Sequence, residues 1–216
     1  MSATEATADE WLFGWDPTPG IVSVWADRRG RALVWRRLDG ELSCERASFR
    51  PWLFARSLAD AAHLGAALVP LAPDQAAASV RGGAVTVREL DGPDGSYRYL
   101  LSARDGRALE QALLTGASRR LDRPVRRLGE LGSDYYSVGP VEQYLMQTGR
   151  AYFRGLAFDD LRRLQLDLET TALSPEEGRI FMVAVRDSAG LETVLEAPAP
   201  EDEPQLLSDL CALVRE

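Results

Sequence analysis

The sequence predicts an α+β protein, with a mostly antiparallel β region first and a β-β-β-α unit after it. Three observations predict this. Short β-branched and aromatic runs alternate with Asp, Gly and Pro turns through the first hundred residues. Residues 163–169 alternate cleanly between polar and apolar, and two further strand-like runs follow. Near the end, Leu206, Leu207, Leu210 and Leu213 recur at helical spacing.

Residues 1–10 are acidic and polar, without a basic start and apolar core, so they read as a disordered tail rather than a secretory signal. Trp11 to Trp15 is an aromatic opening, and Asp16 to Gly20 a turn. Ile21–Ala26 and Leu33–Leu38 read as a hairpin around Asp27-Arg-Arg-Gly30, with Asp39-Gly40 as the next turn. Glu41–Arg46 and Phe49–Ala55 complete an expected meander over residues 11–56. Ser57–Leu68 is Ala-rich with a Ser cap candidate, hence a predicted helix ended by Pro70 and Pro73. Ala84–Leu90 and Tyr97–Ser102 flank the turn Asp91–Gly95. Gly106–Leu114 is a short helix, Arg119–Ser133 a polar connection, and Val141–Thr148 a second helix. Arg163–Glu169, Arg179–Arg186 and Leu191–Leu195 are then three strands, and Gln205–Val214 a helix. The domain division expected is a first domain over 11–150 and a second over 151–216.

Composition bounds the function. Apolar residues make up 45% and charged residues 27%, an ordinary balance for a chain that buries its own core. The net charge of −8 argues against a freestanding charge-driven nucleic-acid binder, but not against an enzyme that meets DNA through metals and local arginines. All 25 basic residues are Arg, and the chain has no Lys, no Asn and two Ile. A GC-rich coding sequence is the simple explanation. Cys44 and Cys211 stand far apart, which suggests two buried free thiols and neither a zinc site nor a disulfide framework. With one histidine, His63, a His-based metal site or triad is excluded; partial burial is expected for it. The apolar runs fall far short of a membrane span, so the expected location is cytoplasmic, with no membrane partner. The five tryptophans, at 11, 15, 25, 35 and 52, are expected to pack a small β domain. Arg119, Arg120, Arg123, Arg126 and Arg127, and Arg28, Arg29 and Arg31 at the hairpin tip, read as solvated surface.

One pattern carries chemistry. On a strand over 163–169, Leu164, Leu166 and Leu168 share one face, and Gln165, Asp167 and Glu169 share the other. Two carboxylates two positions apart on one face suit hard divalent ions, Mg²⁺ or Mn²⁺. Phosphodiester cleavage with two metals uses such ligands. Asp-x-Glu alone is also common on the wet face of strands, so the surrounding residues decide.

Tyr152 to Thr171, YFRGLAFDDLRRLQLDLETT, resembles the opening of the 3′–5′ exonuclease domain of family B DNA polymerases. Leu166-Asp-Leu-Glu-Thr-Thr171 matches that family's first exonuclease motif, and Gly178–Val185 is similar to its second strand. Looser resemblance covers the hairpin at 21–38, Phe49–Ala55 and Val141–Gly149. The resemblance implies a ribonuclease-H-like fold from about 151 and the family's N-terminal domain before it. It implies Asp167 and Glu169 as catalytic ligands of two Mg²⁺ or Mn²⁺ ions, and Thr170 near the 3′-terminal nucleotide of a DNA substrate. The family's later motifs, Asn-x-x-x-aromatic-Asp and Tyr-x-x-x-Asp, are not in these 216 residues, nor is a polymerase palm. The chain therefore reads as an N-terminal fragment, a truncated product or one subunit of a split polymerase. The rest of the polymerase, as a separate chain, is then an expected partner. Alone, the chain is expected to be inactive as a nuclease. The alternative is a polymerase-derived module that only binds nucleic acid or a partner chain.

Overall fold

The computed structural model describes residues 14–72 and 84–215. The expected tail at 1–10, the start of the aromatic opening at Trp11 and the proposed stop at Pro73 lie outside these. The fold is mixed α+β, with antiparallel pairing dominant and few helices. It divides after Gly155 into two compact units.

The first unit opens with a three-stranded meander, β1 (Ile21–Ala26), β2 (Arg31–Leu38) and β3 (Glu41–Ser48), paired in that order. The β1–β2 turn is set by Asp27, whose Oδ1 accepts from the amides of Arg29 (2.9 Å) and Arg31 (3.1 Å). Asp39 and Gly40 both take positive φ, 51° and 85°, as a tight turn between right-twisted strands requires. The expected fourth meander strand does not join this sheet. β4 (Trp52–Ala55) pairs instead in a second sheet, ordered β5-β6-β7-β4-β8, with β5 (Leu68–Pro70), β6 (Val85–Glu89), β7 (Tyr99–Ser102) and β8 (Tyr135–Tyr136). Only the β5–β6 pair there is parallel.

Two helices cover these sheets. α1 (Gly106–Leu121) starts on Asp105, which accepts from the amides of Arg107 and Ala108. Its Leu109 and Leu113 pack on Leu53, Ala55, Val85, Val87, Leu101 and Ala103. α2 (Pro140–Thr148) places Tyr144 in the core of the meander with Ile21, Val34 and Phe49. One turn apart on α2, the amides of Gln143 and Gln147 accept from the backbone of Trp52 (3.0 Å) and Arg50 (2.9 Å). Two glutamines thus satisfy backbone groups that a neighbouring strand would otherwise hold.

Several expectations are corrected here. Ser57–Leu68 is not an α-helix. It forms bends and a short 3-10 stretch, Ala62–Ala67, broken at Gly65 (φ 52°, ψ −124°), and Leu68 already begins β5. The reason is Asp60, buried with its carboxylate on Arg120 Nε (2.7 Å) and Tyr135 Oη (2.8 Å), a turn position that a continuous helix would not give. α1 runs seven residues past its expected end at Leu114, because Leu114 and Ala117 bury against Val125. Arg119 and Arg120 therefore close a helix, where cations complement the dipole. Arg120, expected in solvent, is instead the partner of a buried carboxylate. Both cysteines are exposed and free rather than buried. His63 is exposed, with Nδ1 3.0 Å from the Asp60 carbonyl. Of the tryptophans, Trp52 is buried, but Trp15 and Trp25 are exposed.

The second unit is a three-stranded antiparallel sheet, ordered β11-β10-β9: β9 (Leu164–Thr170), β10 (Ile180–Asp187) and β11 (Glu192–Glu196). α3 (Glu203–Arg215) follows, starting two residues before the expected Gln205. Its Leu206 packs on Val183, Val185 and Ala197, with Leu195, Leu210 and Leu213 around them. The leucine face of β9 is not buried: Leu164, Leu166 and Leu168 stay 43%, 50% and 49% exposed. The core of this unit gathers over β10 and β11, and β9 is the edge strand away from it. Among the described residues no helix is long and apolar enough to cross a membrane.

Candidate carboxylate site

The register fixes what shares a face with the carboxylates. Asp167 lies opposite Ala184, which lies opposite Val194; Glu169 lies opposite Met182, which lies opposite Glu196. Gln165, Arg186 and Glu192 form the adjacent row. These rows stand on the face away from α3, because Val183 and Val185, on the other parity, bury against the helix. The structure thus brings Asp167 and Glu169 onto one open face, roughly 7 Å apart along the strand by strand geometry. Their immediate neighbours, Ala184 and Met182, carry no charge that would compete for a cation.

Where β9 ends, the register slips between Ile180 and Met182, so that Phe181 is an extra residue opposite Glu169–Thr170. A bulge at this point locally bends β10 and changes the aim of side chains beside Glu169. Thr170 has the opposite parity from the carboxylates. Its hydroxyl donates to the Ala172 carbonyl at 3.0 Å, so the structure does not gather its side chain with theirs.

A cleft of about 360 Å³ opens at the start of β9 and the β10–β11 turn, lined by Arg163, Gln165, Arg186, Asp187, Gly190 and Glu192 among others and by neither carboxylate of the pair. Arg163 stacks on Phe158, 4.0 Å from the ring centroid, and its amide donates to Ser188 Oγ. The Asp187 carboxyl is held below the usual carboxylate range, chiefly by the Leu191 amide. It is therefore a turn-builder rather than a proton carrier. Strand alternation had already put Gln165 on this face. Arg186 was missed, because its place depends on the β9–β10 register, which no local pattern sets.

The donor chemistry of Asp167 and Glu169 fits part of a Mg²⁺ or Mn²⁺ site: hard oxygens on one face, with uncharged Ala184 and Met182 opposite them. They do not make a full set. Among the described residues no three His, Cys, Asp or Glu side chains converge to hold a metal. Glu196 shares Glu169's row but sits two strands away, about 9–10 Å by sheet spacing.

No protein-family model matches the chain. No curated protein matches it in sequence. Among solved structures, the family B DNA polymerase from the hyperthermophilic archaeon Pyrobaculum calidifontis is similar, with a TM-score of 0.52 and 16% identity. The likeness is one of fold. It covers 91% of this chain and 28% of the polymerase, so the chain spans little more than a quarter of that protein's length.

Proposed function

We propose that this chain is the N-terminal portion of a family B DNA-directed DNA polymerase, and that Asp167 and Glu169 are the first metal ligands of its 3′–5′ exonuclease. The observation that carries the reading is the pairing of the two carboxylates on the open face of β9, within a chain whose fold resembles such a polymerase over most of its length. On this reading the β9–β10–β11–α3 unit is the start of a ribonuclease-H-like domain beginning near residue 151, and residues 11–150 are the polymerase's N-terminal domain.

The two carboxylates would supply oxygen ligands to Mg²⁺ or Mn²⁺. The chemistry such ions provide when bound is activation of a water and stabilisation of the leaving oxygen of a phosphodiester. Arg186, in the row next to Asp167, would hold a DNA phosphate near the pair. By the resemblance of Leu166–Thr171 to the first exonuclease motif, Thr170 would lie near the 3′-terminal nucleotide. Two carboxylates leave metals under-liganded and a water unpositioned, so the chain by itself is inactive as a nuclease.

A second reading is favoured by the exposed leucines and by β9, which among the described residues pairs on one side alone. It is a non-enzymatic module that binds a partner chain along that edge. Mn²⁺ titration of the pure chain separates the two. The metal reading predicts binding that Asp167→Asn and Glu169→Gln weaken alike, and that Glu192→Gln leaves unchanged. Equal binding by all four proteins would remove it. Trimming of single-stranded DNA by the pure chain with Mg²⁺ would overturn the statement that the site is incomplete.

A further inference from the structure

Arg50 is an anomaly in the first unit. It is 8% exposed, yet no carboxylate pairs with it among the described residues. Its Nη2 donates to the Ala84 carbonyl at a long 3.4 Å, and its Nε is buried without a partner. A buried guanidinium nitrogen left so is costly, because burial removes its water and no group among the described residues replaces it.

A second arginine faces it. Trp52 pairs with Ser102 across β4 and β7, and the Ala103 amide donates to the Pro51 carbonyl at 3.0 Å. The ladder thus continues one residue beyond the strand, through a proline that has no amide to give. One step further, Arg50 stands opposite Arg104, at a non-hydrogen-bonded position where side chains come closest. The Arg50 backbone is held instead by Gln147, which accepts from its amide (2.9 Å) and donates to its carbonyl (3.2 Å). Ala84 lies beyond Arg104, so the Arg50 guanidinium passes Arg104's strand to reach it. Like charges directly opposite on a sheet are destabilising. Burial and Arg104 together push the Arg50 pKa down.

The acids nearest in the chain are engaged elsewhere. Asp105 caps α1, and Glu110 pairs with Arg28 at 3.3 Å. Arg104 is exposed and has no ion pair among the described residues, so the arginine opposite the buried one faces solvent.

We propose that Arg50 and Arg104 form a phosphate-binding site. A phosphate oxyanion between them would turn a repulsive pair into a shared one, satisfy the Arg50 Nε and match the planar, forked donors of two guanidinium groups. The site is in the first unit and independent of Asp167 and Glu169, so it goes beyond the exonuclease reading. The phosphate can belong to a nucleic-acid backbone or to a free anion, and the test distinguishes them.

The full chain is titrated with inorganic phosphate by calorimetry, and with a dye-labelled twelve-residue oligothymidylate by fluorescence anisotropy. Variants are Arg104→Ala, Arg50→Gln, and Arg29→Ala as a surface-charge control. The site predicts saturable binding that Arg104→Ala and Arg50→Gln each weaken about tenfold, the ordinary loss for one charge-assisted contact. Arg29→Ala leaves it unchanged. If Arg50→Gln does not fold, Arg104→Ala decides. Response to the oligonucleotide with no response to phosphate assigns a backbone phosphodiester; response to both assigns any accessible phosphate. Saturation by neither, or equal losses in Arg104→Ala and Arg29→Ala, overturns the proposal.

Discussion

Replacing Gly116 with alanine sets two effects against each other. Gly116 lies inside α1, where alanine is favoured over glycine by about 1 kcal/mol. From sequence alone the substitution is stabilising. The structure reverses the sign. A Cβ built there would stand 1.7 Å from the Asp60 carbonyl oxygen, 2.6 Å from its carbonyl carbon and 2.8 Å from His63 Nδ1. The obstacle is backbone, so no rotamer change relieves it. Overpacking of this kind costs roughly 1–3 kcal/mol, occasionally more. Moving the Asp60 backbone also strains the bonds from Arg120 Nε and Tyr135 Oη to its buried carboxylate, each worth about 1–2 kcal/mol. The net expectation is a loss of about 2–4 kcal/mol. All five tryptophans lie in residues 11–52, so their fluorescence follows the first unit in a urea titration. With a slope of about 1–3 kcal/mol per molar, the midpoint should fall by about 1 M or more. Gly129→Ala, with nothing within 4 Å of the new methyl, is the control and should be neutral or slightly stabilising. A Gly116→Ala protein as stable as the parent would refute the packing of α1 on the Asp60 turn.

Other outcomes follow from the same structure. Burial and the Asp60 bond raise the Tyr135 pKa well above 10, so Tyr135 should be silent in an ultraviolet phenol titration until the protein unfolds. Its contribution to stability is complete below pH 10 and is lost as pH rises toward its folded value. Tyr135→Phe should cost about 1 kcal/mol in urea unfolding and remove that alkaline limb. Asp16, held by Thr18 and by Arg150 (2.7 Å), has its pKa lowered to about 2. The stability it supplies is present above its unfolded value near 4 and lost as pH falls from about 4 to 2. Because Asp16 is partly solvated, Asp16→Asn should remove on the order of 1 kcal/mol, seen as a flatter acid limb in thermal melts. In the second unit, Leu206→Ala should cost about 2–4 kcal/mol by far-ultraviolet unfolding, and Leu168→Ala only about 1, since Leu206 is buried and Leu168 is 49% exposed. Equal costs would mean the β9 leucines are covered in solution.

The contrast between local and tertiary signals explains what the sequence told. The hairpin at Asp27–Gly30, the Asp39-Gly40 turn and the alternation over 163–169 are local patterns, and the structure contains each. The face shared by Asp167 and Glu169 follows from alternation alone. Asp60 was different. Its Ala-rich surroundings favour a helix, and its burial depends on Arg120 and Tyr135, sixty and seventy-five residues away. Gln143 and Gln147 hold the backbone of Trp52 and Arg50 where the chain leaves the meander, from 91 and 97 positions away, which no short window can reveal. The leucines of β9 obey the right period, yet periodicity says which side chains share a face and not whether anything covers that face. The same limit hid Arg186, placed beside the carboxylates by cross-strand register.

Metal ligation by Asp167 and Glu169 is read by nuclear magnetic resonance of the isotopically labelled chain with substoichiometric Mn²⁺. Bound at the pair, Mn²⁺ broadens the amides around Asp167–Thr170 and the facing Met182–Ala184, and Asp167→Asn abolishes the broadening. Broadening centred elsewhere, such as the acidic residues Glu201–Glu203 that lead into α3, or broadening at β9 that survives Asp167→Asn, rules that ligation out.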